Sequence, residues 1–167
     1  SSQFISALMM VAPLLPEGLT IELTGKIPSR PYLSMTAEVM SIFGIHPKIG
    51  KTSVQIPAGR YQTATYRVEP DWSAASYWFA FAALAKTSNI LLPAVSEKAV
   101  QGDRVIVDIM KRLGVTADFG PNGLRLAGGG ACVKQLQLDF SDCPDLAQTV
   151  LPVCAALGVD GLFTGMD

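Results

Sequence analysis

Two hydroxyls and an amide, Ser1, Ser2 and Gln3, stand directly before the apolar run FISALMMVAPLL. At a helix start the first backbone N–H groups lack intrahelical partners, and the helix dipole favours negative charge there. Hydroxyls at such a place suit an anion, and they equally suit plain N-capping, which for serine is the commoner use. Two carboxylates hold a related position: Asp71 follows Pro70 and Asp145 follows Pro144, each ahead of an apolar stretch. A carboxylate there caps a helix well; in a cleft it can instead take a proton from a substrate hydroxyl as a general base. Either of the two could be purely structural. Ser29, Arg30 and Tyr32 flank Pro31 ahead of another helical stretch, and Gln101, Gly102 and Asp103 fill the matching loop further on. For each of these taken alone, capping is the simpler reading.

Other chemistries are poorly served. His46 is the single histidine, so a His-based metal site or a Ser-His-Asp triad has almost nothing to be built from. The stretch GIHPKIGKT resembles a phosphate-binding loop, but five residues separate Gly44 from Gly50 where that loop needs four, and strand-like TSVQIP follows where it needs a helix. Cys132, Cys143 and Cys154 fit no C-x-x-C spacing and are odd in number, which argues against a disulfide framework and for a reducing cytoplasm. A net charge of −1 gives no bulk attraction to nucleic acid or a membrane surface. No apolar run is long enough to span a bilayer; Phe4 to Leu15 is broken by Ser6, stopped by Pro16, and reads as a buried helix.

The elements that must position these residues repeat. RPYLSMTAEVMSIFGI (Arg30 to Ile45) and VQGDRVIVDIMKRLGV (Val100 to Val115) align when shifted by 70 residues, with Met40 on Met110 and Gly44 on Gly114. Each predicts a helix with an apolar stripe, closed by a glycine suited to a left-handed cap. SSQFISALMMVAPLL falls over DWSAASYWFAFAALA at the same shift, and a third copy opens at PDLAQTVLPVCAALG. The unit reads as helix, short strand (Leu19 to Leu23, or Asn89 to Leu92), helix, then a strand pair. The pairs expected are Lys51 to Ile56 with Thr65 to Val68, and Ala117 to Phe119 with Gly123 to Ala127. AGGGA (Ala127 to Ala131) reads as a flexible connection. The fold class expected is α/β (α+β) in repeated βαβαββ units, two complete in rotated register and a third unfinished. The chain begins without methionine and stops inside that third unit, which reads as a segment cut from a longer protein.

Taken in order, SSQFISALMMVAPLL, SRPYLSMTAEVMSIFG, VEPDWSAASYWFAFAAL, QGDRVIVDIMKRLG and FSDCPDLAQTVLPVCAAL resemble the EPSP synthase family of enolpyruvyl transferases, from Ser1 to about Gly161. The resemblance implies two lobes (inside-out α/β barrels), each of three βαβαββ units, with the active site between them. Residues 1–68 would be the last unit of one lobe and residues 69–167 the first unit and the start of the second unit of the other, with a hinge near 68–71. It implies transfer of the enolpyruvyl group of phosphoenolpyruvate to the 5-hydroxyl of shikimate 3-phosphate, with release of phosphate, in aromatic amino-acid biosynthesis. The family uses no metal and no organic cofactor, and a cytoplasmic, monomeric parent with no nucleic-acid or membrane partner is expected.

By motif match, Ser1 and Ser2 resemble ligands of shikimate 3-phosphate, and Gln3 resembles a residue touching both that substrate and phosphoenolpyruvate. Ser29 and Tyr32 resemble further shikimate 3-phosphate contacts, and Asp145 resembles the catalytic aspartate that faces the substrate hydroxyl, expected as a buried carboxylate. Arg30 stands where the family often has lysine and is left outside this set. The family's N-terminal Lys-Ser-…-Arg segment, its glycine-rich phosphoenolpyruvate loop and its Lys-Glu-Thr-Asp-Arg motif have no counterpart here, and VEPDWSAAS carries Pro-Asp-Trp where Gly-Asp-Ala is common. The isolated segment is therefore expected to lack turnover, to leave apolar faces bare and to self-associate. Two rival readings share the fold: a transferase acting on UDP-N-acetylglucosamine, which uses a loop cysteine, and a non-catalytic anion-binding domain.

Overall fold

The computed structural model describes residues 2–25, 27–129 and 133–166. The chain divides after Val68 into two compact units. In the first, helix α1 (Ser2–Val11) continues as a 3-10 turn (Ala12–Leu14) and is followed by β1 (Leu19–Glu22), α2 (Arg30–Ile42), β2 (Lys48–Ile49) and β3 (Ser53–Ile56). The strands form one antiparallel sheet in the order β1-β3-β2. The second unit opens with α3 (Trp72–Leu84), β4 (Ile90–Leu92), a 3-10 turn (Gly102–Val105) leading into α4 (Ile106–Arg112), then β5 (Val115–Gly120) and β6 (Gly123–Gly128). Its first sheet is again antiparallel, ordered β4-β6-β5. There follow β7 (Gln135–Asp139), a 3-10 turn (Pro144–Leu146), α5 (Ala147–Leu157) and β8 (Asp160–Thr164). β7 and β8 pair in parallel, which requires a crossover, and α5 supplies it.

The α-β-α-β-β repeat is therefore present twice, down to individual positions. Gly44 and Gly114 sit at φ 86 and φ 87 just past their helices, a conformation in which a Cβ would be strained. Met9 and Phe79, Ala12 and Ala82, Met40 and Met110, Val54 and Leu124, and Ile56 and Leu126 are buried pairs 70 residues apart. The hairpins share one register: Lys48↔Gln55 and Ile49↔Val54 become Asp118↔Arg125 and Phe119↔Leu124. The remaining strand slips by one residue, Leu19↔Ile56 against Ile90↔Leu126. Leu19 and Ile21 turn inward in β1, whereas Ile90 and Leu92 do so in β4, so the slip keeps apolar residues on the core face.

Two expectations fail. The first hairpin does not join Lys51–Ile56 to Thr65–Val68; it closes over Gly50, whose N–H donates to Ser53 O at 2.8 Å, and Thr65–Val68 is neither strand nor helix. The segment leading there is instead tied to the helices: Gly59 N–H donates to Pro13 O (2.9 Å), Gln62 N–H to Phe43 O (2.8 Å) and the Tyr61 hydroxyl to Met10 O (2.8 Å). Nor is α1 a buried helix. Met9 faces the core, while Phe4, Leu8, Met10 and Val11 are exposed. The same face is bare on α3, since Leu8, Val11 and Leu14 correspond to Trp78, Phe81 and Leu84, all exposed.

Candidate functional site

In the first unit the candidate residues lie at two helix starts. Ser2 opens α1 and is buried, and Gln3 beside it is exposed; Ser1 lies outside the described residues. α1 packs along α2. Thr36 Oγ1 lies 2.8 Å from the Tyr32 carbonyl oxygen and 3.1 Å from Ser6 Oγ. Ser2 and Tyr32 each stand four residues, about 6 Å of helix rise, from this contact. One hydrogen-bonded tie thus links the first turns of the two helices.

Ser29 occupies the N-cap of α2 in the left-handed region (φ 57, ψ 37), and its side chain makes no capping bond. Capping thus does not explain its hydroxyl, and a non-glycine residue there carries backbone strain. Pro31, with φ preset for the first helical turn, follows two residues on, after Arg30. The guanidinium of Arg30 donates to the carbonyls of Gly50 and Lys51, so its charge braces the β2–β3 turn against the start of α2.

The second unit separates its two Pro-Asp carboxylates. Asp71 is a true N-cap of α3: its Oδ1 accepts from Ser73 N–H at 2.9 Å and from Gln101 Nε2 at 3.1 Å. The Gln101 bond, foremost, holds the Asp71 carboxyl below its ordinary pKa. Gln101 Oε1 accepts from Trp72 N–H at 2.6 Å, and its Nε2 also reaches Ser73 Oγ at 3.0 Å. Glu69 holds the same loop by accepting from the N–H groups of Val100 (3.1 Å) and Gln101 (2.8 Å). Ser73 Oγ in turn donates to Asp103 Oδ2. Asp103 is fully buried, and among the described residues its Oδ1 has no hydrogen-bond partner. Burial pushes the Asp103 carboxyl above its ordinary pKa; the Ser73 bond opposes this, and the charges of Asp145 and Asp71 add to it.

Asp145 lies within the 3-10 turn Pro144–Leu146, packed on α3, and takes neither N-cap position; those are Cys143 and Leu146. It is exposed rather than buried, because the turn rotates Leu146 inward and leaves Asp145 on the outer side. α5 is tied to α3 by Ser76 and Thr149.

The structure thus gathers Ser2, Gln3, Ser29 and Tyr32 in one unit, and Asp145 with Asp71 and Asp103 in the other. The Glu69–Gln101–Ser73–Asp103 network was not apparent from the motifs, although the Q-G-D loop that carries half of it was. A groove of ≈ 420 Å³ beside β7 and β8, lined by Arg112, Gln135, Gln137 and Asp160 among others, includes none of the candidate residues. Among the described residues no cluster of three His, Cys, Asp or Glu could hold a metal ion, and no helix is long and apolar enough to cross a membrane.

The profile of a family described as EPSP synthase (3-phosphoshikimate 1-carboxyvinyltransferase) matches residues 1–159. A 3-phosphoshikimate 1-carboxyvinyltransferase of Bacteroides fragilis is 43% identical over 168 residues, covering 100% of this chain and 41% of its own. One from Methanoculleus marisnigri is 35% identical over 167 residues, covering 99% of this chain and 39% of its own. The chain thus spans about two fifths of the length of these curated relatives. Among solved structures, the enolpyruvyl transferase NikO from Streptomyces tendae covers 98% of this chain and 38% of its own at 13% identity, with a TM-score of 0.30, too low to support a structural argument.

Proposed function

The chain belongs to the EPSP synthase family, and from that premise we propose that the protein carrying it transfers the enolpyruvyl group of phosphoenolpyruvate to the 5-hydroxyl of shikimate 3-phosphate, releasing phosphate. Addition of a hydroxyl across the enol double bond requires a base for the hydroxyl proton and an acid for the methylene carbon. We assign proton transfer to Asp145. The observation that carries this assignment is the contrast between the two Pro-Asp carboxylates. Asp71 is the N-cap of α3, while Asp145 is the N-cap of neither its turn nor its helix and is exposed on the outer side of that turn.

Ser2, Gln3, Ser29 and Tyr32, with Ser1, are assigned to shikimate 3-phosphate, and Gln3 also to phosphoenolpyruvate. Support comes from helix starts that offer backbone N–H groups and hydroxyls, the setting an oxyanion favours. Ser29 adds a hydroxyl not used for capping. The rival transferase reading needs a reactive thiol. Cys143 and Cys154 are buried, and burial pushes the Cys143 thiol up to about 11, opposite to what a nucleophile needs; Cys132 lies outside the described residues. Two free thiols also accord with a cytoplasmic setting.

The test is an assay of the full-length protein with phosphoenolpyruvate and either acceptor. Phosphate release with shikimate 3-phosphate and none with UDP-N-acetylglucosamine is expected. The reverse preference, or binding of neither acceptor by calorimetry, would overturn the reading.

A further inference from the structure

Asp103 stands where the repeat calls for a hydrocarbon. Shifted by 70 residues it falls on Leu33, and both side chains are 0% exposed in their respective units. The flanking equivalents, Ala37 with Val107 and Met40 with Met110, are apolar in both copies. The fold therefore accepts leucine here, and the carboxyl group of the second copy is not a requirement of packing. Its setting is unfavourable to an anion. Oδ2 accepts from Ser73 Oγ, Oδ1 is buried with no partner among the described residues, and a buried charge without compensation is among the costliest features a fold can hold.

The groups around it sharpen the point. From the start of α3 comes Asp71, from the turn before α5 comes Asp145, and Cys143 precedes that turn; Asp71 and Asp145 act on Asp103, which in turn acts on Cys143. Glu69 lies against the same loop. The cation next in sequence, Arg104, is turned away: its Nε donates to Glu97 O at 2.8 Å, and its guanidinium lies 5.7 Å from the Phe119 ring centroid.

We propose that Asp103 carries a proton in the folded protein and serves as a positioning residue that acts through Asp145: the buried carboxyl group stays neutral and braces the start of α3 through Ser73, and the turn that carries Asp145 packs on that helix. This rests on the assignment of proton transfer to Asp145. A carboxyl group taken out of water without compensating donors keeps its proton, and nearby negative charge adds to the effect. Burial is the leading cause of the upward shift at Asp103.

The experiment uses the full-length protein with ¹³C-labelled aspartate, and compares wild type with D103N and D103L. The Asp103 carboxyl signal, identified by its loss in D103N, should keep its protonated position at neutral pH; titration near about 4, the ordinary range, would overturn the proposal. D103L restores the apolar residue of the other repeat and should melt at least as high as wild type. It should nevertheless lose at least about tenfold in kcat with little change in KM. D103N, a neutral group that still accepts from Ser73, should recover most of that loss and leave the acidic limb of the kcat/KM profile where wild type has it. A D103N limb moved to lower pH would mean that Asp103 was ionised, and D103L with wild-type kcat and pH profile would remove its role; either result overturns the proposal. A wild-type protein that releases no phosphate removes the enzymatic reading and with it the role at Asp145, while the carboxyl titration still decides where the proton sits.

Discussion

Ser76 Oγ and Thr149 Oγ1 lie 2.8 Å apart, both buried, in a hydrogen bond that joins α3 of the second repeat to α5 of the third. Ser76 Oγ is also 2.6 Å from the Ser73 carbonyl oxygen, to which it donates. Ser76 can therefore keep a partner when Thr149 is lost, whereas Thr149 depends on Ser76. Thr149→Val should cost about 1 kcal/mol, the worth of one net hydrogen bond, and Ser76→Ala about 2 kcal/mol because it strands a buried hydroxyl. Urea unfolding midpoints decide the order; equal or reversed costs would mean the pair does not set the α3–α5 junction.

What the motifs disclosed and what they concealed divides along local and non-local lines. Gly44 and Gly114 marked both helix ends because a left-handed cap is a demand made by neighbouring residues. The second hairpin was legible for the same reason, from Pro121, Asn122 and Gly123. The first was not. Thr65, Tyr66 and Val68 have strand-forming side chains, but a strand also needs a partner edge, and β3 already pairs with β1 and β2. Among site residues, the capping role of Asp71 was legible as one of two options. Asp103 was hidden because Q-G-D reads as a polar loop; the 70-residue shift sets it on Leu33, but its burial is visible only in the tertiary fold.

The Asp71 cap carries a pH signature. Its folded-state pKa is depressed, chiefly by Gln101, so its contribution is present above the unfolded value near about 3.9 and is lost as pH falls through the folded value. Asp71→Ala should cost about 1 kcal/mol at pH 7, with the charge part reduced by salt because the side chain is mostly solvent-exposed. The gap from wild type should narrow as pH falls below 4. Chemical denaturation at pH 7 and near pH 3 reads this, and a gap of constant size would exclude an ionised cap.

Ser29 sets stability against binding. Glycine relieves about 1 kcal/mol of left-handed strain and gives back about 0.5 kcal/mol through a freer unfolded chain, so Ser29→Gly should be slightly stabilising. The same change removes the hydroxyl assigned to shikimate 3-phosphate and should weaken its binding about fivefold, the worth of roughly one hydrogen bond. Calorimetric titration alongside a melting curve checks both; unchanged affinity would withdraw Ser29 from the site.

The bare faces of α1 and α3 predict behaviour in solution. Val11 is 56% exposed and Phe81 64%, at equivalent positions of the repeat, each amid other apolar residues. Clusters of this kind on a lone chain drive association. The 167-residue chain on its own should therefore sediment above its 17.7 kDa mass, and Val11→Lys with Phe81→Glu should return it toward a monomer. A wild-type chain that stays monomeric at all concentrations would contradict this.

The sharpest division among the assigned roles is between Asp145 and Ser29. A general acid–base group contributes about 10²–10⁴-fold in rate, and it acts only in the transition state. A substrate hydroxyl contact made equally before and during reaction changes KM and leaves kcat nearly intact. In the full-length protein, Asp145→Ala should lower kcat by about 100-fold or more while KM for shikimate 3-phosphate moves little. Ser29→Ala should raise that KM by less than about tenfold and spare kcat. A melting curve of each variant run beside the kinetics separates a chemical defect from a folding defect. Equal losses of kcat in the two variants, with both still folded, would shift the proton-transfer role to another residue.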